Sequence, residues 1–211
     1  MNNSMKGRYV LRGELSCKCK GNRDYVHGTD VYNFFFQDIN KNCIFLKGFK
    51  NISISFKKII TSKQVYYEIY RQKVNDKDAN AIINFVSDNK EYYAVLKSSK
   101  SPVEKSYHFN ESDITKHCLA IIDDKKIVLS KSVDFTSIEI FTAMNKKLLN
   151  LLFPLNKKWL MTRFESIEYY DTVNYETICI VMKRAVLLKL IRSDIYIDKV
   201  KIGSIYFSES I

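Results

Sequence analysis

The residue types needed for acid–base chemistry occur together in the stretch "RDYVHGTDVYNFFF", at residues 23–36. Within it His27, Gly28, Thr29 and Asp30 are consecutive, and His27 is one of only three histidines in the chain. A neutral imidazole can accept a proton near neutral pH, and a carboxyl group kept protonated by burial can donate one. A glycine at the start of a helix lets a ligand come close to the backbone amides there, which can polarise a carbonyl group.

Two segments of the chain have the apolar spacing of buried helices. The first runs from Thr29 and the second from Thr136, and both place large apolar residues three or four positions apart. Each begins with a Thr or Ser suited to N-capping, and each has an acid in its first turn, Asp30 or Glu139. Both are more apolar than surface helices, so we expect a sheet to surround them.

Most of the remaining sequence alternates between apolar and polar residues, as strands do. In "NISISFKKII" the apolar residues fall on one face, and "AIINFVS" and "YYAVLKSS" flank a turn at Asp88-Asn89-Lys90. The stretch "HCLAIIDDKKIVLS" predicts a hairpin that turns at Asp123-Asp124-Lys125. The chain is therefore predicted to be an α+β protein built largely from antiparallel strands.

The same order of elements occurs twice. Asp30 and Glu139 are 109 residues apart, and a similar offset aligns the strands that follow each helix. Each half has a strand, a capped buried helix and about four antiparallel strands. This repetition predicts two units, residues 1–98 and residues 99–211, packed together. Thr136 stands in the second unit where His27 stands in the first.

Composition narrows the class of protein. The chain has 211 residues, 46% of them hydrophobic, enough for a substantial core. No apolar run is long enough to span a membrane, and the N-terminus lacks the apolar core of a signal peptide, so we expect a cytoplasmic protein. The five scattered cysteines suit buried thiols better than a disulfide framework or a zinc site, and we predict no metal. Serine-hydrolase, P-loop and dinucleotide-binding motifs are missing.

A buried helix wrapped by a curved antiparallel sheet, present twice in tandem, resembles the double hotdog arrangement. The closing stretch "LIRSDIYIDKVKIGSIYFS" is similar to the last two strands of hotdog thioesterases and acyl-carrier-protein dehydratases. The stretch "RFESIEYYDTVNYETICIVMK" is similar to their middle strands. The resemblance implies an enzyme of fatty acid or polyketide biosynthesis, acting on acyl chains carried by phosphopantetheine on an acyl carrier protein or by coenzyme A. It implies no bound cofactor.

The resemblance also implies roles for particular residues. In a dehydratase acting on 3-hydroxyacyl thioesters, His27 would be the base and Glu139 the acid. In a thioesterase of this fold, a helix acid, Asp30 or Glu139, would activate water. Gly28, Thr29 and Thr136 would contact the substrate. The chain departs from the dehydratase pattern because no proline precedes the first helix, and because Thr136 replaces a second histidine.

Several alternatives remain open at this point. His27 could be a helix cap or a hydrogen-bonded core residue, and both acids could simply complement helix dipoles. Thioester hydrolysis by the same fold is the nearest enzymatic alternative. The net charge of +11 also suits a noncatalytic module that binds nucleic acid or an acidic protein, with tyrosines in "VYYEIY" and "EYYAV" exposed among basic residues. Either a monomer or a homodimer is compatible with a tandem repeat.

Overall fold

The protein, in this computed structural model, is described at residues 9–21, 23–102, 106–154, 158–187 and 189–209. Residues 1–8, on which the expectation of no signal peptide depends, lie outside the described residues. The helices are α1 (Gly28–Asn42), α2 (Ser112–Thr115) and α3 (Ser137–Leu152). The strands are β1 (Leu11–Ser16), β2 (Cys19–Lys20), β3 (Lys50–Phe56), β4 (Gln64–Tyr70), β5 (Ala81–Ser87), β6 (Lys90–Ser98), β7 (Ser106–Tyr107), β8 (Cys118–Ile121), β9 (Lys126–Leu129), β10 (Trp159–Glu168), β11 (Ile178–Val186), β12 (Leu190–Ile197) and β13 (Val200–Glu209).

One long antiparallel sheet forms the body of the protein. Its strand order is β1-β4-β6-β5-β3-β10-β13-β12-β11-β9-β8, and β3 pairs with β10 at its centre. The sheet curves around α1 and α3, and the apolar faces of both helices belong to one continuous core. The predicted α+β architecture of two wrapped helices is confirmed. Among the described residues, no helix is long and apolar enough to cross a membrane.

Helix α1 is held by an aromatic cluster. Phe35 and Phe36 are fully buried, and their rings lie 5.1 Å apart in an edge-to-face arrangement. The ring centre of Phe36 also lies 5.1 Å from that of Phe49, which follows α1, and 4.7 Å from that of Tyr169, which follows β10. Such contacts add to the free energy of burying each ring. The apolar spacing that predicts a buried helix is thus explained by rings supplied from both halves of the sheet.

The predicted hairpins are confirmed with their turns. Asp88 and Asn89 both have positive φ between β5 and β6, as a two-residue hairpin turn requires. Lys125 also has a positive φ, in the turn between β8 and β9. In both hairpins, the residues at the turn and the alternation of apolar residues along the strands predict the same structure.

The two halves share element order but differ in strand order. Their long helices begin 109 residues apart, as the sequence offset predicts. From the centre outward the second half runs β10-β13-β12-β11, whereas the first runs β3-β5-β6-β4. In the first half, β5, the earlier strand of the hairpin β5–β6, pairs with the central strand β3. In the second half, β13, the later strand of the hairpin β12–β13, pairs with the central strand β10. Both strands of each hairpin alternate, so either could lie next to the centre, and the pattern does not distinguish them.

The tyrosines that favoured a nucleic-acid surface are mostly covered. Tyr67, Tyr70 and Tyr92 are buried, Tyr93 is half-buried, and Tyr66 is exposed. They are buried because β4 and β6 lie inside the sheet, where one face of each strand is covered by the core. The expectation of an exposed tyrosine-rich face is therefore wrong for these strands. Of the two features behind the binding-module alternative, only the net charge of +11 remains unchanged.

Candidate active site

The start of α1 places His27 and Gly28 at the edge of the core. His27 is the N-cap residue, with an extended backbone, and its carbonyl oxygen accepts the amides of Asp30 and Val31. The expectation that Thr29 is the cap is therefore wrong, because the helix already begins at Gly28. The amides of Gly28 and Thr29, the first two of the helix, have no acceptor within the helix itself. They give this end of α1 a partial positive charge.

His27 occupies the cap position without capping through its side chain. The residue is 7% exposed, and its Nδ1 atom lies 2.8 Å from Thr29 Oγ1. Burial, followed by the positive charges of Lys146 and Lys20, lowers the pKa of His27 well below its ordinary value. Its Nε2 atom forms no hydrogen bond within the described part of the chain and is not fully enclosed. His27 is thus a neutral imidazole with one nitrogen free.

An apolar cavity of about 180 Å³ lies beside His27. Its walls come from the start of α1, from the end of β3 with the residues after it, and from the start of β10. They include Gly28, Phe56, Trp159 and Met161. A Cβ atom at position 28 would lie 3.0 Å from both Phe56 and Met161, so glycine keeps this wall close to the helix amides. The cavity therefore joins an apolar space, an imidazole and a helix N-terminus.

The first turn of α3 is fixed by a capping box. Thr136 is its N-cap, and Glu139 Oε2 accepts the Thr136 amide at 3.0 Å and the Thr136 hydroxyl at 2.8 Å. The Thr136 hydroxyl also accepts a hydrogen bond from Asn33 on α1, at 2.9 Å. The predicted cap and first-turn acid of this helix are confirmed. Thr136, predicted to contact substrate, is engaged here in bonds that join the two helices.

A buried lysine that sequence reasoning missed links the two predicted acids. Lys20, at the end of β2, is fully buried, and its Nζ atom lies 3.0 Å from Asp30 Oδ1 and 2.5 Å from Glu139 Oε1. The same ammonium donates to Thr29 Oγ1 at 3.0 Å and lies 4.0 Å from the centre of the Phe109 ring. One cation from the first half therefore pairs with a carboxylate on each helix.

Asp30 is the more enclosed of the two acids. Burial raises its pKa, although Lys20 and the Tyr107 hydroxyl, 2.9 Å from Oδ1, both act in the opposite direction. Its Oδ2 atom is buried without a partner among the described residues. The carboxyl of Asp30 thus faces the ion pair and not the cavity.

A second ionic group covers this cluster. Glu111 accepts from Arg23 and from Lys146, each at 2.8 Å. Burial opposes ionisation of Glu111, but Lys146 and Arg23 outweigh it and hold the pKa of this carboxyl below its ordinary value. Glu111, Lys20, His27 and Glu139 line a closed gap with no room for a water molecule.

The structure thus brings the six predicted site residues close together, in two adjoining places, and Thr136 joins them through its hydrogen bond to Glu139. His27 and Gly28 line the cavity, while Thr29 and Glu139 line the closed gap, which His27 also borders. Asp30 joins the gap through Lys20.

Known proteins agree with this architecture. No protein-family model matches the sequence, and no curated relative matches it either. Among solved structures, the tesB protein of Mycobacterium avium subsp. paratuberculosis superposes with a TM-score of 0.52 at 8% identity, covering 97% of this chain and 94% of the other. The dehydratase domain of PpsC from Mycobacterium tuberculosis, solved in complex with C12:1-CoA, has a TM-score of 0.52 at 7% identity, covering 95% and 93%.

At this level of identity the likeness concerns the fold. The protein is a double hotdog, with two helices in tandem wrapped by one antiparallel sheet. The coverage of both chains is nearly complete, so the resemblance extends over the whole described architecture.

Proposed function

We propose that this double hotdog processes acyl thioesters in the cavity beside His27. The observation that carries the proposal is the position of His27, a neutral imidazole that lines an apolar cavity of about 180 Å³ and whose Nε2 atom has no hydrogen-bond partner among the described residues. The acyl group would lie against Phe56, Trp159 and Met161. The PpsC neighbour was solved with an acyl-CoA, which supports the same class of ligand for this fold.

The start of α1 supplies the electrostatic part of the reaction. The amides of Gly28 and Thr29 would face the thioester carbonyl oxygen, where negative charge develops during acyl transfer. Phe56 and Met161 lie close enough to Gly28 that a side chain there would intrude on this space. His27 would act as the general base, since a neutral imidazole can accept a proton.

Dehydration and hydrolysis of an acyl thioester differ in whether they need a second residue that donates a proton. Dehydration of a 3-hydroxyacyl thioester requires His27 to remove the α-proton while Glu139 gives a proton to the departing hydroxyl. Both carboxyl oxygens of Glu139, however, are already engaged, because Oε1 lies 2.5 Å from Lys20 Nζ and Oε2 accepts two bonds from Thr136. The ion pair therefore disfavours Glu139 as the proton donor.

Hydrolysis needs only the groups that face the cavity. His27 would accept a proton from water as the water oxygen attacks the thioester carbonyl carbon. The tetrahedral intermediate would then collapse with cleavage of the carbon–sulfur bond, and the imidazolium would return its proton to the thiolate. The products are a carboxylic acid and a free thiol. We therefore place hydrolysis ahead of dehydration.

The rim of the cavity suits an anionic carrier. Lys57 and Lys58 line it, and Lys158 lies 5.0 Å from the ring of Tyr25, another lining residue. Phosphate groups of coenzyme A or phosphopantetheine would find positive charge at this entrance. Because the sheet joins β3 to β10 within one chain, one polypeptide supplies the whole site, and residues 1–98 and 99–211 are proposed as its two repeats.

An assay of thioester turnover tests the proposal. Purified protein would be given saturated acyl-CoAs of several lengths, with free thiol measured, and 3-hydroxyacyl-CoAs, with enoyl thioester measured. We expect thiol release, reduced by about 100-fold or more in His27→Gln, and unchanged in His108→Gln, whose side chain is exposed. Enoyl formation without thiol release would replace hydrolysis by dehydration. No turnover of either substrate, or equal losses in both variants, would refute the catalytic proposal.

A further inference from the structure

The Thr29 hydroxyl lies at the junction between His27 and the buried ion pair. Its Oγ1 atom is 2.8 Å from His27 Nδ1, 3.0 Å from Lys20 Nζ and 3.4 Å from Asp30 Oδ1. All three neighbours are buried. The proton positions in this group therefore depend on one another.

The chemistry of the two charged neighbours fixes the hydroxyl proton. A lysine ammonium has only donors, so Lys20 must give its hydrogen to Thr29 Oγ1. Asp30 Oδ1 already accepts from Lys20 and from Tyr107, so it is an acceptor toward Thr29 as well. The single proton of the Thr29 hydroxyl is then directed at Asp30, through a long hydrogen bond.

This assignment leaves one role for the imidazole. With its proton directed at Asp30, Thr29 Oγ1 meets His27 Nδ1 with a lone pair. The 2.8 Å contact is a hydrogen bond only if Nδ1 carries the hydrogen. The opposite assignment would set the hydroxyl lone pairs against the Asp30 oxygen.

We propose that Thr29 is a positioning residue, held by Lys20 and Asp30, that keeps His27 in the Nδ1–H tautomer and so presents the Nε2 lone pair to the cavity. The tautomer stands on the contacts alone, and its catalytic value rests on the proposed function. In this arrangement Lys20 and Asp30 act on the reaction without touching the substrate. The ion pair that removes Glu139 from acid catalysis thereby prepares His27 to be a base.

The low basicity of His27 makes the tautomer relevant under working conditions. Burial, Lys146 and Lys20 keep the pKa of the imidazole low, so a single proton resides on the ring at neutral pH. Which nitrogen holds that proton then decides whether Nε2 can accept another.

Nitrogen-15 NMR of the histidine rings at neutral pH tests the inference without any substrate. The signals of His27 are assigned by comparison with His108→Gln and His117→Gln. We expect a protonated Nδ1 and an unprotonated Nε2 in the wild-type protein. An Nε2–H tautomer there would overturn the proposal, whatever the thioester assays show.

Two variants at one position add a functional readout. Thr29→Ser retains the hydroxyl and should keep the tautomer and most of the activity, whereas Thr29→Val should lose the Nδ1–H preference. In Thr29→Val we expect kcat to fall by about tenfold or more with little change in KM, because the base and not the binding surface is altered. An unchanged tautomer in folded Thr29→Val would overturn the proposal. If Thr29→Val does not fold, the wild-type spectrum and Thr29→Ser decide. Absence of turnover with an Nδ1–H tautomer would refute the proposed function and leave this inference intact.

Discussion

Replacing Lys20 by methionine should destabilise the protein severely. Lys20 is fully buried and is 3.0 Å from Asp30 Oδ1 and 2.5 Å from Glu139 Oε1. Methionine fills a similar volume but leaves two neighbouring carboxylates without their shared cation. Removing one member of a buried ion pair costs about 3–5 kcal/mol, because the remaining charge stays buried and uncompensated. We expect the free energy of unfolding to fall by at least that amount at neutral pH, since two charges are left here.

Urea unfolding of the wild type and Lys20→Met measures this loss. The matched control is Lys116→Met, which removes an exposed ion pair with Asp113 at 2.8 Å and should change stability little. The loss should shrink as the pH falls, because burial raises the pKa of Asp30 and its protonation removes one uncompensated charge. The combined variant Lys20→Met, Asp30→Asn, Glu139→Gln should recover most of the loss at neutral pH. A deficit below about 1 kcal/mol, or one that does not depend on pH, would show that the cluster is not held by Lys20.

Three further changes follow from the same site. Because burial lowers the pKa of His27, the wild type should lose stability as the pH falls below about 6.5, by up to about 1.4 kcal/mol per pH unit, and His27→Gln should lack this component in urea unfolding at several pH values. Because burial raises the pKa of Asp30, the wild type should lose stability relative to Asp30→Asn as the pH rises above about 4, and an opposite trend would contradict the buried placement. Replacing Lys57 and Lys58 by alanine should raise KM for acyl-CoA at low salt and leave kcat unchanged. The control Lys199→Ala, at an exposed position, should change neither constant, and equal effects of the two replacements would mean that the carrier binds elsewhere.

The elements that could be predicted well from the sequence are those that depend on residues close together in the chain. The helices α1 and α3 follow from apolar spacing, and the turns at Asp88–Asn89 and before Lys126 follow from residues that tolerate positive φ. The order of strands in the first half could not be predicted in this way. It depends on which strand of the hairpin β5–β6 meets β3, and both strands offer the core an apolar face.

The residue types of the candidate site could be predicted from the sequence, but the contacts among them could not. His27, Asp30 and Glu139 stand out because they flank helix starts. Lys20 does not, because in "SCKCK" it looks like the outward member of an alternating strand whose cysteines face inward. In the structure β1 ends at Ser16 and Cys19–Lys20 form a separate short pair with β7, which turns both residues into the interior. The burial of Lys20 depends on this change from β1 to β2, and no local sequence pattern predicts that change.

Of the two long helices, only α1 begins with an imidazole at its N-cap position. His27 and Thr136 occupy the same N-cap position, and Asp30 and Glu139 the same place in the first turn. Both acids nevertheless converge on Lys20, which the first half supplies. At the start of α3, the Thr136 hydroxyl is bound to Asn33 and Glu139. One acyl thioester per chain should therefore bind at saturation in calorimetric titration of His27→Gln. A stoichiometry of two would mean that the start of α3 binds a thioester as well.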